Sequence, residues 1–584
     1  MKFLLVALNA KYIHSNPAVY SLRSYVGEAL QKHVEIAEYT INHSFGEVLA
    51  DIYKRKPDVI GFSCYIWNIH MVLELIPEVS KLLPEVPIWL GGPEVSFDAT
   101  QLLAKYPMVT GVMIGEGEET FRELLEYYTQ GQDGSLQGIS GLCLPEGYTA
   151  PRELTDISTL PFLYQDLENF QNRIIYYESS RGCPFRCSYC LSSIEKKVRL
   201  RDLEIVKQEL QFFLNHKVKQ VKFVDRTFNC NHVHAMEIWQ YLLEHDNGVT
   251  NFHFEIAADI LKDAEIELLG KLRPGLVQLE IGVQSTNPRT LEAIHRSMSV
   301  EKLEEIVATI HAGRNVHQHL DLIAGLPFED YDSFGASFNR VYAMAPQQLQ
   351  LGFLKVLKGS EMHERAEEFG IHYLDKPPYE VLFTNWLSYE DVLKLKRVEE
   401  MVELYYNSNQ FRHTIRFLEG VFETPFRMYE ALADFYERKG YFVNSPARSY
   451  RYQVLLEFAL EYDEAWVEAY GELLTYDMYL RENLKSRPDF AKDLLEYKEE
   501  IRSFYRKEEE SRRYLPAYGD YDSRQLARMT HLEPFFYPVW NMPNRRERKE
   551  LPQSVKGNQP VYVLFDYQER NPLNEDAWTV QIRV

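Results

Sequence analysis

Three cysteines lie close together in one short stretch of the chain, Cys183, Cys187 and Cys190, in the pattern C-x3-C-x2-C. The apolar and aromatic run Arg173–Tyr177 before them predicts a buried strand. The cysteines are therefore expected on the loop that leaves this strand, where scaffolds usually place chemistry. Three thiolates on one loop suit an iron–sulfur cluster, because its iron atoms prefer soft sulfur ligands. The loop offers no fourth thiolate, so such a cluster would keep one iron open for a ligand other than protein.

A structural zinc loop is the main alternative for these three cysteines. Structural zinc usually has four protein ligands from paired C-x2-4-C modules, and the sequence contains no second pair. No cysteine follows Cys230. Three unrelated buried cysteines are the other alternative.

The cysteine stretch resembles the signature of the radical SAM superfamily, which has the same spacing and an aromatic residue before the last cysteine, here Tyr189. The resemblance implies a [4Fe–4S] cluster whose open iron is chelated by the amino and carboxylate groups of S-adenosylmethionine (SAM). It also implies that one-electron reduction cleaves the sulfonium of SAM to give a 5′-deoxyadenosyl radical.

Strand and helix signals alternate downstream of the cysteines as far as Val356. With the strand before the cysteine loop they make six βα units, which resembles the partial (β/α)6 barrel of the superfamily. Chemistry in such barrels collects at the carboxyl ends of the strands. The turn Ile323–Glu329 resembles the family's segment close to adenine. The resemblance implies that SAM contacts residues of the cysteine loop and the strand ends: Tyr189, Asp225, Asn229, Glu255, Gln284 and Ser285.

Each of these side chains also has a structural alternative. A polar group at a strand end is often satisfied by a neighbouring loop. Asp225 and Asn229 in addition fit a cap for the helix that is predicted to begin at His232.

Two histidines on one predicted strand, His317 and His319, raise the question of a second metal. Side chains alternate along a strand, so these two lie on the same face. No third ligand is evident in the sequence, and no second metal is expected.

Residues 1–135 alternate short apolar strands with amphipathic helices, beginning with the strand Lys2–Leu8 and the helix Pro17–Leu30. Five such strands predict a parallel, doubly wound sheet that binds ligands at the carboxyl ends of its strands. Glycines in the loops there let a bulky ligand approach the backbone. Joined to a radical SAM domain, this region resembles the cobalamin-binding domain of B12-dependent radical SAM enzymes. The resemblance implies that the corrinoid contacts Asn9, Ser63, Gly91, Gly92, Gly115 and Glu116.

The D-x-H-x-x-G motif, which supplies a histidine to cobalt in other B12 proteins, is absent. The resemblance therefore implies base-off cobalamin without that ligand. His14 and His70 lie near strand ends and are the candidates to approach cobalt, although loop histidines more often have no such role. The alternative for the whole region is a sheet that binds no cofactor.

From Asp375 the alternation stops, and long amphipathic helices are predicted over Tyr389–Tyr405, Phe426–Lys439, Ser449–Tyr462 and Lys492–Lys507. Two predicted strands follow, over Pro560–Asp566 and Ala577–Arg583. This region matches no catalytic motif. It resembles an uncharacterised helical extension of some bacterial proteins with B12-binding and radical SAM domains. We expect it to cap the barrel mouth. We therefore expect a cobalamin-binding domain over 1–135, a linker over 136–172, a radical SAM barrel over 173–374 and a helical domain over 375–584.

The composition is that of a globular protein, with 45% hydrophobic and 26% charged residues. A net charge of −22 argues against a sequence-independent grip on nucleic acid, which needs clustered Lys and Arg. No run is long and apolar enough for a membrane span, and the run Phe3–Leu8 lacks the basic flank of a signal peptide. Six clustered cysteines are too few for a disulfide framework, and a cytoplasmic location is expected.

The sequence thus predicts an α/β protein that is a cobalamin-dependent radical SAM enzyme, acting by methylation, rearrangement or cyclisation on an unknown small molecule or peptide. Its electron donor would be flavodoxin or ferredoxin, and neither a membrane nor a nucleic acid is an expected partner. Methylthiotransferases resemble this domain order but carry three further cysteines near the amino terminus, where this chain has only Cys64 and Cys143. A non-catalytic sensor or electron carrier that binds a cluster and a corrinoid is the second alternative.

Overall fold

The computed structural model describes residues 1–131, 134–484, 486–547 and 551–582. Its first part is a seven-stranded sheet built from β1 Phe3–Asn9, β2 Val34–Thr40, β3 Val59–Ser63, β4 Ile88–Gly91, β5 Gly111–Met113, β6 Leu142–Leu144 and β7 Gly147–Tyr148. The strands lie in the order β2-β1-β3-β4-β5-β6-β7, and the first five in the chain are parallel. This order is that of a doubly wound α/β sheet whose switch point lies between β1 and β3.

Helices cover both faces of the first sheet, because strands such as β1 carry apolar side chains on both faces. Leu4, Val6 and Leu8 join one buried core, whereas Phe3 and Leu5 join another on the opposite face. A strand buried on both faces reads as a continuous apolar run rather than an alternating one. The helices are α1 Pro17–Tyr25, α2 Glu28–Gln31, α3 Phe45–Arg55, α4 Ile69–Leu82, α5 Ala99–Lys105 and α6 Glu118–Thr129.

The short strands β6 and β7 fall in the region that the sequence assigned to a linker. β6 pairs antiparallel with β5, with Cys143 opposite Val112, and β7 continues the sheet. Residues 142–148 therefore extend the first sheet. A three-residue strand is too short to show a period in the sequence.

The second part is an open barrel whose six parallel strands lie in the order β15-β14-β13-β12-β11-β8. Its strands are β8 Ile175–Tyr177, β11 Gln220–Phe223, β12 Asn251–Ile256, β13 Val277–Gln284, β14 His317–Ala324 and β15 Gln348–Phe353, and a small ribbon after β8 consists of β9 Ser180–Arg181 and β10 Arg199–Leu200. The predicted α/β architecture, a doubly wound sheet followed by a partial (β/α)6 barrel, is confirmed.

Side chains of the barrel strands alternate between the surrounding helices and the barrel interior. On β13, Val277, Leu279 and Ile281 are buried in the helix-facing core. Glu280 and Gln284 therefore face inward, because the side-chain period of a strand is two. The outer helices are α7 Leu203–Asn215, α8 His232–His245, α9 Asp263–Lys271, α10 Pro288–Ala293, α11 Val300–Gly313 and α12 Tyr331–Ala343.

The carboxyl-terminal part is mostly helical, as predicted, and follows a short helix and hairpin, α13 Glu361–Glu364, β16 His372–Tyr373 and β17 Val381–Phe383. The helix α14 Tyr389–Val402 continues into a π-helical turn at Glu403–Asn407. The further helices are α15 Arg412–Leu418, α16 Pro425–Lys439, α17 Arg451–Asp463, α18 Val467–Arg481, α19 Lys498–Ser511, α20 Ser523–Met529 and α21 Pro552–Val555.

A three-stranded antiparallel sheet packs against these helices, formed by β18 Thr530–Phe535, β19 Val561–Arg570 and β20 Ala577–Ile582. The last two strands were predicted from the sequence, and Arg583, at the end of the predicted run, lies outside the described residues. Among the described residues, no helix has both the length and the apolar character needed to cross a bilayer.

Candidate active site

The three cysteines lie on the loop between β8 and α7, and all three are free thiols. Backbone hydrogen bonds fix this loop: the amide of Cys183 donates to the carbonyl of Glu195 over 3.1 Å, and the amide of Cys190 donates to the carbonyl of Cys187 over 3.1 Å. Gly182 has a φ of +99°, and a β-carbon there would lie 2.4 Å from the carbonyl oxygen of Lys197. Only glycine fits this backbone position.

The sulfur atoms lie among polar donors. The Sγ of Cys183 is 3.6 Å from the hydroxyl of Thr227, and Arg296 donates from Nη1 to the Sγ of Cys187 over 3.6 Å. Burial raises the pKa of the Cys183 thiol, so a bound metal would have to supply the charge that favours the thiolate. Three free thiols on one fixed loop with nearby donors fit a cluster held by three sulfur ligands.

Arg296 was missed by sequence reasoning. Its guanidinium donates to the Sγ of Cys187 and to the carbonyl oxygen of Gly282 on β13, so it joins the cysteine loop to the fourth barrel strand. Burial lowers its pKa, but the electrostatic influence of Tyr189 and Cys187 outweighs that effect and raises the pKa overall. No motif marks this arginine, because 109 residues separate it from its sulfur partner.

Asp225 lies fully buried at the end of β11, where it holds the start of the cysteine loop. Its carboxylate accepts hydrogen bonds from the amide of Ser179 over 2.9 Å, from the Ser179 hydroxyl over 2.7 Å and from the Ser180 hydroxyl over 2.6 Å. Burial raises the pKa of Asp225 to about 7, although these bonds favour the ionised form. Protein groups thus occupy this carboxylate, and a contact with SAM stays a prediction.

Asn229 joins two neighbouring strand ends. Its Nδ2 donates to the carbonyl of Ala257 over 2.8 Å, and its Oδ1 accepts from the amide of Ala257 over 3.0 Å. The alternative that Asp225 or Asn229 caps α8 is wrong, because the side chain of Asn231 accepts the hydrogen bond from the amide of His234 at that helix end. A short polar residue next to the first helical turn is the usual cap.

The two polar turns of the fourth and fifth barrel strands meet at one carboxylate. Ser285 donates to Oε1 of Glu329 over 2.7 Å, and Ser337 donates to the same oxygen over 2.9 Å. Burial raises the pKa of Glu329 to about 7, despite these hydrogen bonds. The structure therefore brings Ser285 and the turn Ile323–Glu329 together through hydrogen bonds at the ends of the two strands.

Gln284 and Glu255 are the predicted SAM residues that keep polar atoms unengaged. Gln284 has a φ of +70°, at an irregularity in the pairing of β13 with β14. Its Oε1 is buried and makes no hydrogen bond within the described part of the chain. Burial raises the pKa of Glu255, which faces the barrel interior. These two side chains are the ones best placed to satisfy a polar ligand.

Tyr189 packs against an apolar cluster that includes Leu291 and Met362. Burial raises its pKa well above the usual value. The ring is thus a half-buried apolar wall of the cysteine loop.

The carboxyl ends of the first sheet carry the residues predicted for cobalamin. Asn9 donates from Nδ2 to Oε1 of Glu38 over 2.9 Å, and the hydroxyl of Ser63 accepts from Nδ2 of Asn16 over 3.0 Å. These hydrogen bonds order the edge of the sheet at its switch point, and a corrinoid contact by Asn9 or Ser63 stays a prediction.

The predicted glycines leave the sheet edge open. Gly92 has a φ of +118°, and a β-carbon there would lie 2.4 Å from the carbonyl oxygen of Cys64. Gly115 has a φ of +77° with open space around its missing β-carbon, and at Gly91 a β-carbon would touch Met113 at 3.2 Å. A backbone without side chains at these strand ends fits the close approach of a flat, bulky ligand.

Glu116 forms a link to the barrel. It accepts a hydrogen bond from Arg199 over 2.5 Å and one from the amide of Thr155 over 2.8 Å, and it lies 3.3 Å from Arg181. Burial alone would raise the pKa of Glu116, but these partners lower it to about 2. The carboxylate of Glu116 is therefore engaged by protein groups, and a corrinoid contact of this residue stays a prediction.

The two histidines considered for cobalt have protein partners. The Nδ1 of His14 lies 2.6 Å from the hydroxyl of Tyr176 on β8. His70 lies 3.2 Å from Glu74 on the exposed side of α4. Neither arrangement adds support for a histidine on cobalt.

The carboxyl edge of the first sheet faces the mouth of the barrel. In three of the ion pairs between the two parts, the acidic partner follows β4 or β5 and the basic partner follows β8 or β15, so each of these partners lies beyond a strand's carboxyl end. These pairs are Arg181–Glu118 at 2.9 Å, Arg199–Glu116 at 2.5 Å and Lys358–Asp98 at 2.7 Å. Strand ends of two α/β domains that face each other form a cleft suited to a cofactor.

Family profiles match three successive parts of the chain. The B12 binding domain matches residues 4–125 and the radical SAM superfamily matches residues 177–341. Residues 367–564 match a protein of unknown function, DUF4080.

Two curated relatives carry related names. Cobalamin-dependent radical SAM methyltransferase TokK of Streptomyces tokunonensis is 26% identical over 351 residues, covering 56% of this chain and 51% of the relative. The 2-(S-pantetheinyl)-carbapenam-3-carboxylate methyltransferase of Streptantibioticus cattleyicolor is 29% identical over 303 residues, covering 48% of this chain and 44% of the relative. The chain thus spans about half the length of these two relatives.

Among solved structures, the cobalamin-dependent S-adenosylmethionine radical enzyme OxsB with aqua-cobalamin bound is similar in fold. It superposes with a TM-score of 0.55 at 15% identity, covering 87% of this chain and 75% of OxsB. With the two domain matches and the cysteine loop at the mouth of the barrel, the chain combines a B12-binding domain with a radical SAM domain.

Proposed function

We propose that this chain is a radical SAM enzyme that methylates its substrate with the help of cobalamin. The observation that carries the proposal is the position of three free cysteines at a barrel mouth that the carboxyl edge of the first sheet faces. When bound, the reduced cluster supplies the electron that cleaves SAM, and the cobalt of the corrinoid supplies a carrier for a methyl group. The chain's own residues bind and orient SAM, cobalamin and the substrate, and they exclude water from the site.

The residues proposed to hold the cluster are Cys183, Cys187 and Cys190. Arg296 orients the loop by bonding both Cys187 and β13. Because a cluster with three protein ligands leaves one iron for SAM, the groups nearest that position decide how SAM lies.

For SAM, we propose that Gln284 and Glu255 make polar contacts, since both face the barrel and neither is fully paired within the described residues. Asp225, Asn229 and Ser285 also position the strand ends through bonds to protein groups. Tyr189 supplies an apolar wall.

For cobalamin, we propose that the loops at Asn9, Ser63, Gly91, Gly92 and Gly115 surround the corrinoid, with Glu116 bridging to the barrel. The glycine positions support this role, because they keep side chains away from the sheet edge. Base-off binding without a histidine ligand is consistent with the protein partners of His14 and His70.

Methyl transfer is preferred over rearrangement, because both curated relatives described above are named as methyltransferases. A methylthiotransferase would need a second cluster in the first part of the chain. Cys64 and Cys143 are both fully buried in the core of the first sheet, so they do not offer an open metal site.

We further propose a cytoplasmic location and reduction by flavodoxin or ferredoxin. Radical SAM chemistry requires a one-electron donor, and the described helices include none that crosses a bilayer. The substrate is proposed to be a small molecule or a peptide.

The proposal is tested by producing the full chain with hydroxocobalamin under anaerobic conditions and recording the absorbance of the purified protein. We expect retention of cobalamin close to one per chain, together with cluster absorbance after reconstitution. A folded protein that carries its cluster but retains no cobalamin would overturn the cobalamin-dependent reaction.

A further inference from the structure

The interior of the barrel is unusually polar. Inward-facing residues on neighbouring strands lie in register: Lys222 is opposite His253 and Glu255 is opposite Glu280. Branched apolar residues normally fill such an interior. Polar side chains that are buried without complete partners are costly, so this arrangement calls for a ligand.

Three side chains inside the barrel, those of Glu280, His319 and Asp321, converge on one point. Glu280 on β13 is opposite His319 on β14, and Asp321 follows two residues later on the same face. One ligand atom from each of the three lies within 4.8 Å of the other two. His319 is 6% exposed, and its Nε2 is 2.8 Å from Oδ1 of Asp321. These two atoms are partners in a His–Asp ion pair, and neither has a further hydrogen-bond partner among the described residues.

A fourth side chain points at the same cluster. His253 is only 7% exposed, and its Nε2 lies 2.9 Å from Oε2 of Glu280 with no further hydrogen-bond partner among the described residues. Lys222 lies 3.1 Å from that same oxygen. These two groups hold one oxygen of Glu280 and leave its other oxygen for a ligand.

We propose that Glu280, His319 and Asp321 bind one divalent transition-metal ion inside the barrel. One imidazole and two carboxylates suit Zn²⁺, Mn²⁺ or Fe²⁺, and three protein ligands leave coordination positions open toward the barrel interior. His253 and Lys222 orient the ligating carboxylate, as partners of metal ligands commonly do.

This proposal departs from the expectation of no second metal, which depended on the lack of an evident third ligand beside His317 and His319. The sequence pointed to His317, which lies on the same strand and the same face. The structure takes the further ligands from Asp321 and from the neighbouring strand β13, which a single-strand pattern does not reveal.

The proposed ion is separate from the cysteine cluster. Glu280 precedes Gln284 by four residues on β13, which is about 13 Å along the strand at the usual rise. The inference stands on these three ligands alone and does not rest on the proposed function. The open positions would accept an oxygen or nitrogen donor of the substrate.

Mn²⁺ is the best probe, because it prefers oxygen and nitrogen ligands and leaves thiolates largely untouched. The full chain is freed of adventitious metal, reconstituted with its cluster and titrated anaerobically with Mn²⁺, while the electron paramagnetic resonance signal of free Mn²⁺ is followed. We expect one ion to bind per chain. The variants Asp321→Asn and His319→Gln should weaken binding by at least about tenfold.

His317→Gln is the matched control, because it removes an inward-facing imidazole outside the proposed ligand set. It should bind Mn²⁺ like the wild type. Circular dichroism and cluster content show whether each variant is folded, and Asp321→Asn keeps the shape of the side chain. Absence of Mn²⁺ binding at millimolar concentration, or binding that neither ligand variant weakens, would mean a hydrogen-bonded network without an ion and would overturn the proposal.

Discussion

At the scale of single residues, the cysteines could be predicted and their surroundings could not. Spacing alone marks Cys183, Cys187 and Cys190, since three soft ligands within one loop have few other uses. Arg296 has no such signal, because its relation to Cys187 arises from folding. For the same reason, the sequence could not separate the predicted SAM residues with protein partners from those without. Only the structure shows that the carboxylate of Asp225 accepts hydrogen bonds from Ser179 and Ser180.

The contact between Arg296 and Cys187 predicts a shift in the redox potential of the cluster. A cation that donates to a ligand sulfur stabilises the reduced, more negative state. Arg296→Met should therefore lower the midpoint potential, by on the order of 50–100 mV if a charged hydrogen bond is lost, whereas Arg296→Lys should lower it less. A redox titration followed by electron paramagnetic resonance measures the effect. Arg289→Met, on the nearby α10, is the control, and equal potentials in Arg296→Met and wild type would refute the role.

The buried carboxyl group of Glu329 predicts a pH dependence of stability. Burial raises its pKa from 4.5 to about 7, so the folded state holds a proton that the unfolded state has released. The stabilisation is complete below about pH 4.5 and is lost as the pH rises through 7, by at most about 3.5 kcal/mol. Urea unfolding of the wild type should show a lower midpoint at pH 8 than at pH 6.

Glu329→Gln should reduce that difference, because glutamine keeps a neutral side chain at every pH. The exposed Glu305 provides the control substitution Glu305→Gln, which should leave the difference unchanged. A full wild-type difference in Glu329→Gln would show that other groups cause the pH dependence.

At the scale of elements, the apolar patterns of the sequence predicted most of the sheet strands and the amphipathic helices, and they missed elements that show no clear pattern. The helix Val467–Arg481 is buried almost all round, so no amphipathic stripe marks it. Strand β18 was missed as well, because Pro534 lies within it and proline argues against a strand. The amphipathic helix α16 was predicted to within one residue, since Gly440 in the left-handed region ends it.

The edge of the first sheet supplies a prediction at this scale. Gly92→Ala would place a β-carbon against the carbonyl of Cys64 at a φ of +118°, which should destabilise the sheet by roughly 1–3 kcal/mol and reduce cobalamin retention. Thermal unfolding and the cobalamin content of the purified protein measure both effects. Gly46→Ala, where no atom lies within 4 Å, should behave like the wild type, and an unchanged Gly92→Ala would contradict the proposed role of this loop.

At the scale of the whole molecule, the decisive feature is the relation between the first sheet and the barrel. The order of the strand and helix signals predicted both architectures. It did not predict that Glu116 would join Arg199 and Arg181 across the cleft, because an ion pair between distant segments leaves no local pattern. The same limit applies to the barrel interior, where Glu280 and His319 meet only through strand register.

The central claim, that the cysteine loop starts a radical reaction, is tested most directly by SAM cleavage. The full chain, reconstituted anaerobically, is incubated with SAM and dithionite, and 5′-deoxyadenosine is measured by mass spectrometry. We predict its formation by the wild type and by Cys230→Ser, which removes a cysteine outside the loop, and none by Cys190→Ser. A wild-type protein with an intact [4Fe–4S] spectrum that forms no 5′-deoxyadenosine would contradict the account.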